Sequence, residues 1–135
     1  MGLKKRKAYE FEIIDLAAGG KGLAKPDGLP VFIDRCLPGD RVLAKVVKKK
    51  KSWAEARLIE IIEPSGMRTD GRCRYCRYCG GCKWQQLPYE KQLEYKHTHV
   101  TDALAHIGRL KDVPVEDIIG SEKIYAFRNK MEFSC

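Results

Sequence analysis

Apolar and charged residues alternate from the start of the chain, with Tyr9, Phe11 and Ile13 set against Glu10 and Glu12. A period of two is that of a strand with one buried face, so this segment predicts the first strand of a barrel or sandwich. The run Ala17-Ala18-Gly19-Gly20-Lys21-Gly22 supplies residues that tolerate positive φ. Pro26-Asp27-Gly28 is a second turn signal, placed before the apolar strand Val31-Phe32-Ile33. After the turn Leu37-Pro38-Gly39-Asp40, residues Val42, Ala44 and Val46 alternate with Arg41, Leu43 and Lys45, and Leu43 is the one apolar residue out of phase. Lys48 to Lys51 and Ser52 predict an exposed hairpin tip, because adjacent like charges repel. Trp53 to Ile62 predicts the returning strand. Five short strands with tight turns over residues 1–65 fit a small closed barrel of the OB type.

The period then changes. Pro88 suits the first turn of a helix. Leu93, Val100, Leu104 and Ile107 recur at helical separations, with Gly108 as a stop. This predicts an amphipathic helix of about five turns. Val113-Pro114-Val115 reads as extended chain, and Phe127 to Phe133 as a closing strand. The expected organisation is a barrel over 1–65, a cysteine-rich loop over 66–87, and a helix with the first strand of a further α+β domain over 88–135. The fold class is mainly β with α.

The 135 residues are 44% hydrophobic and 33% charged, as expected of a folded chain of about one domain. No apolar stretch approaches the roughly 20 residues of a membrane-spanning helix. Met1 is followed by Lys4-Lys5-Arg6-Lys7 rather than an apolar signal core, so the cytoplasm is the expected location. The net charge of +8 arises from 26 basic and 18 acidic residues, with an excess of bases in both halves. A positive surface recruits polyanions, and phosphate contacts dominate nucleic-acid affinity, which makes nucleic acid the leading partner class. Lys48, Lys49, Lys50 and Lys51 beside Trp53 combine phosphate pairing with a stacking surface. The bland alternative is a solvated hairpin with Trp53 in the core.

Four cysteines, Cys73, Cys76, Cys79 and Cys82, fall within ten residues. Arg68, Arg72, Arg74, Arg77 and Lys83 crowd them against the single acid Asp70, which favours the thiolate that ligates metal. The two-residue spacings favour an iron-sulfur cluster held by three close cysteines and a remote one. Structural zinc is the alternative, although its two knuckles usually stand further apart. Disulfides suit an oxidising compartment, for which the sequence has no signal. His97, His99 and His106 fall on or near the predicted helix, but His97 and His99 are two apart and do not share a face. Cys36 is expected to pack as a small hydrophobe.

The glycine-rich first turn, the segment Asp34-Arg35-Cys36-Leu37-Pro38-Gly39-Asp40, the basic hairpin and Glu63-Pro64-Ser65 together resemble a TRAM domain, an RNA-binding OB-like barrel. Cys73, Cys79 and Cys82, running through Gly80-Gly81 into Lys83-Trp84-Gln85-Gln86-Leu87, resemble the RNA (uracil-5-)-methyltransferase family. Tyr125 to Ser134 looks like the strand that opens that family's central RNA-binding domain.

The resemblance implies that Cys73, Cys79 and Cys82 ligate a [4Fe-4S] cluster and that Arg128 and Lys130 approach RNA. It also implies S-adenosylmethionine-dependent methylation of 23S rRNA or tRNA by the full-length protein. In the family the fourth cluster cysteine lies downstream of the Arg-Asn-Lys segment. Within this chain Cys76 is the first substitute, ahead of Cys36 and Cys135. The family's cofactor domain, cysteine nucleophile and carboxylate base have no counterpart here, so the chain is expected to be an RNA-binding N-terminal portion with no catalytic residue of its own. Two further readings are a stand-alone TRAM RNA-binding protein with a zinc or cluster site, and a ferredoxin-like electron carrier.

Overall fold

The computed structural model describes residues 2–76 and 78–127. The predicted strand Phe127 to Phe133, together with Arg128, Lys130 and Cys135, lies outside the described residues apart from Phe127 itself. The chain divides into two compact units, Met1–Pro88 and Tyr89–Cys135.

The first unit is a curled, mixed sheet of six strands: β1 (Ala8–Glu12), β2 (Asp15–Leu16), β3 (Gly22–Ala24), β4 (Val31–Ile33), β5 (Arg41–Lys49) and β6 (Ala54–Glu63). Their order is β1-β5-β6-β4-β3-β2, antiparallel throughout except for the parallel pair β4 and β6. The expected first strand forms as β1, and the same segment runs on into the short strand β2. It pairs with β5 up to Glu12 and with β3 from Asp15. Between these, Ile13 exchanges backbone hydrogen bonds with Gly39 and Asp40, and Ile14 N–H donates to the Leu23 carbonyl. One continuous segment thus serves both edges of the sheet, where six strands stand in place of the five expected.

The inner face is built from the predicted alternation. Phe11, Ile13, Val31, Ile33, Val42 and Val46 pack together, while Ala24, Ala44, Ala54 and Ala56 leave room for their branched side chains. Each fully buried valine or isoleucine contributes roughly 1.5–3 kcal/mol by leaving water. Cys36 is buried with them.

The second unit begins with helix α1 (Tyr89–Asp102), which continues into a wider π-helical turn at Ala103–Ile107. Gly108 ends it, its N–H donating to the Ala103 carbonyl. The helix has the expected extent, but its apolar residues form no buried face: no residue of α1 is buried, and Val100 and Ile107 are exposed. The extended chain that follows folds back on α1, where Ser121 N–H donates to the Tyr89 hydroxyl and His97 Nε2 lies 3.5 Å from the Val115 carbonyl.

Candidate nucleic-acid face and cysteine loop

The lysine run is only partly a hairpin tip. β5 extends through Lys49, so Lys48 and Lys49 are strand residues and the turn is made by residues 50–53, with Lys50 N–H donating to the Trp53 carbonyl. Strict alternation after Val42, Ala44 and Val46 would aim Lys48 inward. A bulge at Val47 prevents this: Val46 pairs with Ala56 but Lys48 with Glu55, so two steps on β5 match one on β6. An extra residue of this kind re-aims the side chains beyond it. Lys48 consequently joins the outer face beside Glu55, and Val47 is left exposed.

A row of register partners crosses that outer face, from Lys48 through Glu55 and Phe32 to Leu23. Trp53 stands at its edge, half-buried and outside the core. Lys48 Nζ sits 4.9 Å from the centre of the indole, and Phe32 meets it edge-on with ring centres 6.4 Å apart. A cation within about 6 Å of an aromatic face is held by the ring quadrupole. A shallow, largely apolar cleft opens between Pro30, Phe32, Ser52, Trp53 and Glu55. Lys21 Nζ is 2.9 Å from Glu55 Oε1 and 3.9 Å from Asp34. The hydrogen bond from Lys21 lowers the pKa of Glu55, and the same bond raises that of Lys21, so both stay charged. Lys49 is differently placed, its Nζ donating to the Leu3 carbonyl.

The cysteine loop is anchored where it leaves and rejoins the sheet. Asp40 is completely buried, and its carboxylate accepts from Leu37 N–H, Ser65 N–H and two nitrogens of Arg68. The other side of the Arg68 guanidinium donates to Gln86 Oε1 at 2.7 Å, and Thr69 N–H donates to the Gln86 carbonyl. Gln85 Oε1 accepts from Cys73 N–H, and Leu87, two residues on, is buried. The loop therefore opens and closes on one clamp. Its exit also rests on the β2–β3 turn, where Gly20 at φ +85° leaves room for Trp84: a Cβ there would lie 2.6 Å from Nε1.

Within the loop Cys73, Cys79 and Cys82 are exposed, whereas the Cys76 sulfur is turned toward Gly71 at the base. The described cysteines are free thiols, and Gly81 N–H points at Cys79 Sγ at 3.4 Å. The donor set suits a thiophilic metal in kind. In their arrangement, no three Cys, His, Asp or Glu side chains among the described residues are gathered as a metal-binding set. Of the residues bearing on the site, the sequence had pointed to neither the Asp40 and Arg68 pair nor Glu55. Asp40 was legible as a turn residue and Arg68 as one of the bases around the thiols.

No helix among the described residues is long and apolar enough to cross a membrane. No family model matches the sequence. A protein of Porphyromonas gingivalis named an uncharacterized RNA methyltransferase is 43% identical over 124 residues, which cover 92% of this chain and 27% of that protein. A second so named, from Halalkalibacterium halodurans, is 40% identical over 96% of this chain and 28% of its own length. Among solved structures, the tRNA (uracil-54, C5)-methyltransferase of Pyrococcus abyssi, in complex with S-adenosyl-L-homocysteine, matches with a TM-score of 0.53 and 26% identity. That match covers 71% of this chain and 21% of the enzyme. The chain spans little more than a quarter of the curated relatives it matches, and over nearly all of its own length it is homologous to proteins named RNA methyltransferases.

Proposed function

We propose that this chain is the RNA-holding portion of an S-adenosylmethionine-dependent RNA (uracil-5-)-methyltransferase, acting on 23S rRNA or tRNA. The observation that carries the reading is homology to RNA methyltransferases over nearly the whole chain. The match to a uracil-5 tRNA enzyme supports the finer assignment. In this reading the curled sheet is a TRAM barrel of the OB type whose outer face meets RNA. Lys48, Lys50 and Lys51 meet the backbone and Trp53 an unpaired base, because protein recognition of RNA favours bases freed from a duplex. Arg128 and Lys130 extend the contact. Cys73, Cys79 and Cys82, with Cys76 as the ligand available in this chain, hold a [4Fe-4S] cluster that orders the loop; methyl transfer to uracil needs no electron from it.

Fluorescence anisotropy with labelled rRNA or tRNA fragments tests the reading. Replacing Lys48, Lys50 and Lys51 with alanine should weaken binding and flatten the dependence of log K on log salt by about 0.7 for each phosphate that is no longer neutralised. Unchanged affinity and slope would show that this face does not bind RNA.

A further inference from the structure

Resting on that RNA-binding reading, we infer that the cleft between Trp53, Phe32 and Glu55 is a site for one unpaired base that carries an exocyclic amino group, so that cytosine is taken in preference to uracil. Three observations converge on it. The cleft is apolar along Pro30, Phe32 and Trp53, aromatic surface of the kind a base plane stacks on, and Phe32 holds the indole in a T-shaped contact with ring centres 6.4 Å apart. Its polar wall is Glu55, a carboxylate that accepts hydrogen bonds and donates none. Lys21 holds Oε1 at 2.9 Å, which fixes the group while leaving further acceptor positions open. A positive side chain stands beside two of the lining residues as well, Lys48, paired with Glu55 across the bulge at Val47 and with its Nζ 4.9 Å from the centre of the indole. Apolar floor, fixed acceptor and neighbouring cation together match a nucleotide: base on the floor, amino group on the acceptor, phosphate at the cation.

The selectivity follows from the acceptor. A carboxylate accepts a hydrogen bond from the cytosine 4-amino group. Uracil offers a carbonyl oxygen at the same place, and two acceptors facing each other repel. Ser52 provides a hydroxyl that serves either base.

The test uses the 135-residue chain and two labelled decamers, oligo(rC) and oligo(rU), titrated by anisotropy at low salt. Oligo(rC) should bind about 10-fold more tightly, the lower end of what one hydrogen bond to a charged group contributes. Trp53→Ala should lose about 5- to 100-fold on both RNAs, the range of one stacked base, and Trp53→Phe should keep part of that. Glu55→Gln, whose amide can also donate, should abolish the preference or turn it toward oligo(rU) whatever happens to overall affinity. Equal binding of the two decamers, unaffected by Trp53→Ala, would overturn the site and leave the RNA-binding reading standing. Failure of the chain to bind either decamer would overturn that reading and the site with it.

Discussion

Arg68 grips the buried carboxylate of Asp40 with two nitrogens, Nε at 2.8 Å from Oδ1 and Nη2 at 2.6 Å from Oδ2, while its Nη1 reaches Gln86 at 2.7 Å. The side chain of Asp40 is wholly buried and that of Arg68 nearly so. Removing one partner of such a pair leaves the other charged and dry, a loss of about 3–5 kcal/mol. Arg68→Ala should therefore lower unfolding stability by that amount in urea titrations. Because the same guanidinium closes the cysteine loop, native-state hydrogen exchange at the Thr69 and Cys73 amides should accelerate beyond that at the core strands. Equal acceleration everywhere would mean that Arg68 supports the sheet alone.

Gly20 and Gly19 form a matched pair for a second experiment. Both have φ near +86°, but a Cβ at Gly19 would meet nothing within 4 Å, whereas one at Gly20 would lie 2.6 Å from Trp84 Nε1. Left-handed backbone in a residue with a side chain costs about 1–3 kcal/mol. Gly19→Ala should show that cost only, and Gly20→Ala should exceed it and shift the tryptophan emission as Trp84 is pushed off the turn. Equal melting temperatures for the two variants would count against Trp84 docking there.

These contacts mark where the sequence was readable. The inner face was legible, because Val42, Ala44 and Val46 follow a period of two that the buried side of a sheet enforces. The outer face was not, since the bulge at Val47 exists only in the pairing of β5 with β6 and turns Lys48 to the side that a strict alternation denies it. The short strand β2 escaped for the same reason, as Ile13 and Ile14 take partners from two separate segments further along the chain. Lys48 to Lys51 were legible as a basic cluster, but Glu55 read as one more strand acid until Phe32 and Trp53 were placed around it. Asp40 and Arg68 are 28 residues apart, a distance at which no local pattern speaks.

Cys36 should behave unlike the loop thiols. Burial, and next the carboxylate of Asp40, push its pKa up to about 12 against only partial relief from Arg68, and its thiol lies 3.4 Å from the Asp34 carbonyl. Iodoacetamide at mildly alkaline pH should modify the exposed Cys73, Cys79 and Cys82 in the folded protein and reach Cys36 only in denaturant, as read by peptide mass spectrometry. Above the ordinary value of 9.0 the unfolded thiol ionises while the folded one keeps its proton. The unfolded state is thereby favoured, and stability should fall by up to about 1.4 kcal/mol per pH unit between that value and the folded one. Cys36→Ala should remove that part of the alkaline loss, and an unaltered alkaline profile would show that the thiol is not the group responsible.

The nature of the loop's metal can be decided on protein purified without oxygen. A [4Fe-4S] cluster should give brown protein with matching iron and acid-labile sulfide, and serine at Cys73, Cys79 or Cys82 should each discharge it. Cys76→Ser is the informative variant: its sulfur is turned toward Gly71 at the loop base while the other three are exposed. Loss of colour on that substitution makes Cys76 the fourth ligand within this chain; colour retained means that the fourth position is filled from elsewhere. A ligand that binds only the folded state raises its stability, so stripping the metal with a chelator should lower the melting temperature. The amides of Cys73 and Cys79 should lose protection first, because their hydrogen bonds to Gln85 and Tyr75 set the loop's shape. Colourless protein with one zinc per chain would replace the cluster by a zinc knuckle, and metal-free protein with an unchanged loop would mean that the loop holds its shape without any metal.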